Sequence, residues 1–184
     1  MQRRFPHPRR TKCGCFGPHL PQLDFFDLPL PDLTADRPPY DAIVNSMVLN
    51  CVTTPARRGE MLARCYRHLR PGGACFLVLP QRCLTQSQFT TRSHFEELLT
   101  AGVGFEMVPE CARDTPKVAF FVLRRPEGGV TRRDWNDKFT RAPALRRGKK
   151  FRDAFAVALR EGDVRDDGAA AGAGAPSKTA ENAA

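Results

Sequence analysis

Residues 40–52 read YDAIVNSMVLNCV, and how this stretch is read decides the fold. The run is apolar on successive positions, so it suits a strand buried on both faces in a parallel sheet. Residues 41–49 are therefore expected to form a central strand. Asn45, Ser46 and Asn50 then fall at or beyond its carboxyl end, where open α/β sheets hold their ligands.

Beyond this strand the sequence continues in an α/β pattern. Thr53-Thr54-Pro55 is a helix start, with a hydroxyl cap followed by a proline whose missing N–H costs nothing there. Met61, Leu62, Cys65, Tyr66 and Leu69 recur at helical spacing. Gly59 inside that helix is a weakness of about 1 kcal/mol relative to alanine. Arg70-Pro71-Gly72-Gly73 is expected to stop the helix and turn the backbone. Residues 74–79 (ACFLVL) form a second buried strand, ended by Pro80, and 81–91 a loop.

Ser93-His94-Phe95-Glu96 fits a capping box, with Thr90 or Thr91 as alternative caps, and Phe95, Leu98 and Leu99 give the next helix its apolar face. Residues 105–111 and 118–123 read as two strands. Their short connection predicts an antiparallel hairpin. Residues 151–159 fit a helix or a strand, and strand is the expectation adopted. N-terminal to the opening stretch, 22–31 (QLDFFDLPLP) reads as a strand end entering a loop.

Residues 1–21 are basic, rich in proline and glycine and without a period, and in the tail 161–184 the stretch 166–184 is Ala/Gly-rich and lacks bulky apolar residues. Both ends are expected to be disordered. That leaves 22–160 as the folded unit, with 124–150 as a basic insertion. The expected class is α/β: a partial Rossmann-like, doubly wound sheet with a C-terminal antiparallel hairpin, lacking its first βαβ half. Without those strands, the strand at 41–49 becomes a hydrophobic sheet edge.

Composition bounds the function. The 184 residues carry a formal net charge of +9. The sequence pI is 9.6 and the mean hydropathy −0.42. The cations gather at Arg3, Arg4, Arg9, Arg10 and Lys12 and again from Arg124 to Arg152, which suits a polyanion such as RNA or, alternatively, a solvated surface. No apolar run reaches the roughly 20 residues of a membrane span. The basic N-terminus has no apolar segment behind it, so it does not read as a secretory signal. The seven cysteines, mostly inside apolar runs, read as reduced core thiols of an intracellular protein. Cys13, Cys15 and His19 match no familiar zinc spacing, and no metal is expected.

Several motifs carry a family resemblance: QLDFFDLPLP, SMVLNCV, RGEML, LRPGG, CFLVLPQRCLTQSQF and PKVAFFVL, in that order. They resemble the fungal 25S rRNA adenine-N(1)-methyltransferases, a family of class I S-adenosylmethionine (SAM) enzymes, from about Gln22 to Leu159. The resemblance implies SAM as cofactor, large-subunit rRNA or the pre-ribosome as partner, and action in the nucleolus. It assigns Asp24 and Phe25 to the cofactor's adenine, as a carboxylate for the exocyclic amine and a ring for the base face. It places Asn45, Ser46 and Asn50 at the target-base pocket, with Asn50 the first choice. An amide offers donor and acceptor to the base edge, and N1 of neutral adenine needs alignment rather than a strong base. The alternative is that these groups satisfy the strand-end backbone.

The family's Gly-rich loop and ribose-binding acid have no counterpart here, so this protein is expected to be weak or inactive alone. A SAM-sensing protein or a plain RNA binder are the rival readings. Arg132, Arg133, Trp135, Lys138, Arg141, Lys149 and Lys150 are the expected RNA-binding residues, pairing phosphate contacts with a stacking ring. Gln81 reads as a solvated loop residue that could reach the same cleft.

Overall fold

The computed structural model describes residues 24–31, 39–111, 114–128 and 137–164. The segments 1–21 and 165–184, together with Arg132, Arg133 and Trp135, lie outside the described residues. Four strands form one mixed sheet: β1 (Tyr40–Ser46), β2 (Leu69–Pro80), β3 (Glu106–Met107) and β4 (Val118–Arg124). Their spatial order is β1-β2-β4-β3. β1 runs parallel to β2, and β4 is antiparallel to both β2 and β3. The expected hairpin is present, and its returning strand inserts beside β2.

Helix α1 (Pro55–His68) begins as the sequence predicts, because the Thr54 hydroxyl accepts the Arg57 N–H and Pro55 fills the first turn. It crosses from the end of β1 to the start of β2 and buries Met61, Leu62, Cys65 and Tyr66 against the sheet. Two short helices follow: α2 (Arg82–Thr85) falls within 81–91, for which the sequence predicts loop throughout, and α3 (Arg92–Glu97) is the helix predicted after it. Thr91 is the cap of α3, accepting from the His94 N–H at 3.1 Å. A π turn, Leu98–Val103, closes on Gly104 at φ 105°. One further turn of helix, α4 (Glu161–Val164), lies inside the tail expected to be disordered.

Three expectations need correction. First, the opening strand is shorter than expected and is an edge, not a central strand buried on both faces. Val44 is 70% exposed and Tyr40 43%. No strand among the described residues pairs with its outer side.

Second, Arg70-Pro71-Gly72-Gly73 is not a turn between elements but the opening of β2. Gly72 adopts φ +76° within it, and the β1–β2 register shifts between Tyr40 and Ala42. The local break is absorbed because the Gly72 N–H and Gly73 carbonyl both pair with the Arg125 backbone, at 2.8 and 2.9 Å.

Third, residues 151–159 form neither helix nor ladder strand. They are an extended strap with a single bridge, Asp153 to Ser87. The strap is sewn down by polar groups: Ser87 Oγ and Thr90 Oγ1 donate to the Phe155 carbonyl at 2.6 and 3.0 Å. The Arg58 guanidinium donates to the Ala156 carbonyl at 2.9 Å. Phe155, Val157 and Leu159 are thereby inserted into the core, which also takes Phe139 from the basic insertion.

The core lies on one side of the sheet. Cys75, Leu77 and Leu79 of β2 and Ala119, Phe121 and Leu123 of β4 point into it. On the other side Val44, Phe76 and Phe120 are exposed.

Candidate functional site

β1 and β2, being parallel and adjacent, present their carboxyl ends at one rim. Met47, immediately after β1, holds φ 57°, a left-handed conformation uncommon outside glycine and often found at functional sites. Its N–H donates to the Val78 carbonyl at 3.0 Å, and the Leu49–Cys51 turn follows. The carboxyl end of β2 is held similarly, with the Gln81 N–H on the Lys117 carbonyl at 2.8 Å.

The three polar residues expected in the pocket separate into different tasks. Asn45 is 6% exposed and faces α1. Its Oδ1 accepts the Leu49 N–H at 3.2 Å, and its amide nitrogen lies 3.9 Å from Cys65 Sγ. That amide satisfies the strand-end backbone and is committed. Ser46 is exposed at the strand end. Asn50 Nδ2 contacts Cys51 Sγ at 3.5 Å, while its Oδ1 is buried with no hydrogen-bond donor.

Gln81 is the residue that sequence reasoning undervalued. Its Nε2 donates to Asp114 at 3.3 Å, and its Oε1 is likewise buried without a donor. Asn50 Oδ1 and Gln81 Oε1 are thus two buried acceptors without a donor near the carboxyl ends of adjacent strands, and such a group costs about 1–3 kcal/mol. The only sequence signal was position, directly after the proline that ends a strand.

Behind the rim, two thiols share a buried contact. Cys75 is pushed up by its hydrogen bond to Cys65 and by burial, which keeps it a neutral core thiol.

The pair Asp24 and Phe25 is not brought to this rim. The Phe25 ring packs 5.6 Å from His68, and His68 packs 6.1 Å from Tyr40, so Phe25 sits at the amino end of β1. Asp24 Oδ1 accepts the Phe26 N–H at 2.9 Å and its carbonyl accepts from Asp27 at 3.0 Å, making a turn. The turn is tied to α1 by Arg57 over Phe26, 3.8 Å from the centroid, and by Arg64 on the Leu28 carbonyl. SAM can be tested against this arrangement. An exposed acid beside a ring suits adenine, yet it lies away from the rim, and no described glycine joins a strand's carboxyl end to a helix. The described residues do not together fit SAM.

Of the expected RNA-binding residues inside the described segments, Lys138 is paired with Glu97 and lies 5.7 Å from the Phe139 ring centroid. Arg141, Lys149 and Lys150 are exposed. Among the described residues no group of three or more His, Cys, Asp or Glu could hold a metal ion. No described helix is long and apolar enough to cross a membrane.

The polar groups of Asn50 and Gln81 sit at the rim of the parallel strands of a mixed α/β sheet, and the class of the chain is that of the RNA-modifying methyltransferases. A family model described as 25S rRNA (adenine(2142)-N(1))-methyltransferase, Bmt2, matches residues 16–157. The chain belongs to this family, whose characteristic activity is enzymatic. The match starts six residues before the Gln22 boundary expected from the motifs.

The 25S rRNA (adenine(2142)-N(1))-methyltransferase of Saccharomyces cerevisiae (strain ATCC 204508 / S288c) is 40% identical over 76 residues. That stretch is 41% of this chain and 22% of the yeast protein's length. A solved structure titled "Conversion of a Disulfide Bond into a Thioacetal Group during Echinomycin Biosynthesis" is 10% identical with a TM-score of 0.37. The match spans 50% of this chain and 51% of that chain, a likeness that carries no argument.

Proposed function

We propose that this protein supplies the acceptor side of a SAM-dependent methyl transfer to N1 of an adenine in large-subunit rRNA. The observation that carries the reading is the pair of unsatisfied amide oxygens, Asn50 Oδ1 and Gln81 Oε1, at neighbouring strand ends. Family membership supplies the reaction class. Adenine's exocyclic amine is a donor with two hydrogens, so it complements such acceptors. N1 of the neutral base carries an in-plane lone pair, so holding the base edge in alignment is the protein's main task. To reach this rim the adenine leaves its stack, which is least costly in a single-stranded or loop context. The parallel β1–β2 pair and the closing hairpin are compatible with a class I methyltransferase sheet. SAM would be held chiefly by residues beyond those described, and the place of action would be the nucleolus.

The test uses a large-subunit rRNA fragment containing the family's target adenine, and a second fragment with purine riboside there, which lacks the exocyclic amine. Asn50→Ala should weaken binding of the adenine fragment about tenfold and leave the purine fragment unchanged, as expected for one lost hydrogen bond to a buried acceptor. With SAM added, the protein alone should yield little N1-methyladenine. Equal effects of Asn50→Ala on both fragments would refute the pocket, and efficient methylation by the protein alone would refute the acceptor-side assignment.

A further inference from the structure

A groove of about 610 Å³ lies on the carboxyl side of β2, between α2, the start of α3 and the loop 146–151. Thr85, Gln86, Thr91, Arg146, Lys150 and Phe151 line it.

The loop that walls the groove is built, not merely draped. The Leu145 and Arg146 N–H groups both donate to the Gln88 carbonyl, at 2.8 and 3.0 Å. The Arg146 guanidinium ties together the carbonyls of Leu84, Thr85, Ser87 and Thr90, at 2.6 to 3.3 Å. Gly148, at φ +124°, closes a turn in which the Phe151 N–H reaches the Gly148 carbonyl at 3.0 Å.

This bracing presents a half-buried aromatic ring among cations. The Phe151 centroid lies 4.7 Å from the Arg146 guanidinium carbon and 5.0 Å from the Lys150 ammonium. Arg146 is consumed by backbone carbonyls, and Arg92 by Glu96 and Asp114. The charge open to a ligand therefore comes from exposed Lys150, with Lys149 and Arg147 beside it. From Arg141 to Arg152 the sequence holds six cations, Arg141, Arg146, Arg147, Lys149, Lys150 and Arg152, and no acid. The Thr85 hydroxyl is held by the Gln81 carbonyl and the Thr91 hydroxyl caps α3. The groove therefore offers a flat ring, the Gln86 amide for a base edge and a run of cations outside, a combination that takes a nucleotide of a single strand.

We propose that this groove holds one nucleotide of single-stranded RNA flanking the target, its base stacked on Phe151 and its phosphate on Lys150. The inference rests on the RNA-acceptor reading and assigns it a second contact. An exposed ammonium holds a ring weakly, whereas a stacked base holds it more strongly. The base would thus displace the Lys150 ammonium, which swings out to the neighbouring phosphate.

The test is fluorescence anisotropy of the full-length protein with a short labelled single-stranded RNA, an abasic strand of equal length, and polyglutamate. Phe151→Leu should weaken the RNA complex about tenfold and leave the abasic complex unchanged. Lys150→Ala, an exposed change that cannot unfold the protein, should reduce the slope of log affinity against log salt by about one. Arg70→Ala, at the amino end of β2 and paired with Asp41, should leave that slope unaltered.

If the parent protein binds RNA and neither groove variant differs from it, the groove assignment falls and the acceptor reading stands. Failure of the parent to bind RNA overturns both. Equal binding of polyglutamate overturns the nucleotide class.

Discussion

Replacing Gly59 by alanine should destabilise the protein, although helix propensity predicts the reverse. In an exposed helix interior, Gly→Ala gains about 1 kcal/mol. At Gly59 of α1, however, an added Cβ would meet the Ala158 carbonyl oxygen at 2.0 Å, its carbon at 2.8 Å and Leu159 Cα at 3.2 Å. These are backbone atoms, so no side-chain rotation relieves the overlap. The strap must move outward by about 1 Å or more, and forced overpacking of this kind costs about 1–3 kcal/mol.

The displacement also stretches the Ala158 N–H bond to the Pro55 carbonyl, now 3.0 Å, and the Arg58 bond to Ala156, now 2.9 Å. Each is worth about 1 kcal/mol. After subtracting the propensity gain, a net loss of about 2–4 kcal/mol is expected. Urea denaturation followed by circular dichroism reads it as a lower midpoint at unchanged m. A midpoint equal to or above that of the parent would refute the strap's seat against α1.

Three further outcomes test other contacts. Asn45→Ala should cost about 1–3 kcal/mol in the same assay, because it orphans the buried Leu49 N–H, whereas Asn50→Ala, whose oxygen has no donor, should cost little. His94 is held below its ordinary pKa chiefly by burial, with Glu97 opposing that shift and Lys138 adding to it. The unfolded state therefore binds the proton more readily, and stability should fall as pH drops below about 6.5, a loss that His94→Gln should flatten. Under native conditions iodoacetamide should label Cys51 and Cys111, which are exposed. It should spare buried Cys65, Cys75 and Cys83, the last pushed up to about 11 chiefly by burial, and peptide mass mapping checks the pattern.

Much of the fold was legible because local rules and tertiary structure agree. Thr54-Pro55 and the apolar spacing from Met61 to Leu69 carry α1, and ACFLVL and VAFFVL carry the sheet centre. What stayed illegible depends on partners distant in sequence. The Pro-Gly-Gly of β2 reads as a turn until Arg125, more than fifty residues on, is known to pair with it. Gly59 reads as a flaw until the strap is seen to cross it. At the candidate site, Asn50 was legible as an amide at a strand end. Gln81 was not, since its burial is set by Asp114 and Lys117. Asp24 and Phe25 could be read as a pair, but their distance from the rim is fixed by Phe25 packing on His68, which no spacing reveals.

The remaining mismatch carries its own prediction. A sheet covered on one face should alternate apolar and polar residues, as antiparallel sheets open to water do. Yet β2 and β4 are apolar at nearly every position, and the side away from α1 shows Val44 paired with Phe76 and Phe76 with Val122, beside Val78 and Phe120. Val44, Phe76 and Phe120 are 70%, 41% and 36% exposed. Together with the unpaired edge of β1, this is a surface that drives association. The isolated protein should therefore show concentration-dependent mass in analytical ultracentrifugation. Val44→Lys should suppress it with little loss of stability, since that side chain is 70% exposed. A parent protein that stays monomeric over a hundredfold concentration range would show that this face needs no cover. The sequence's two-sided apolar strands would then lack a physical cause.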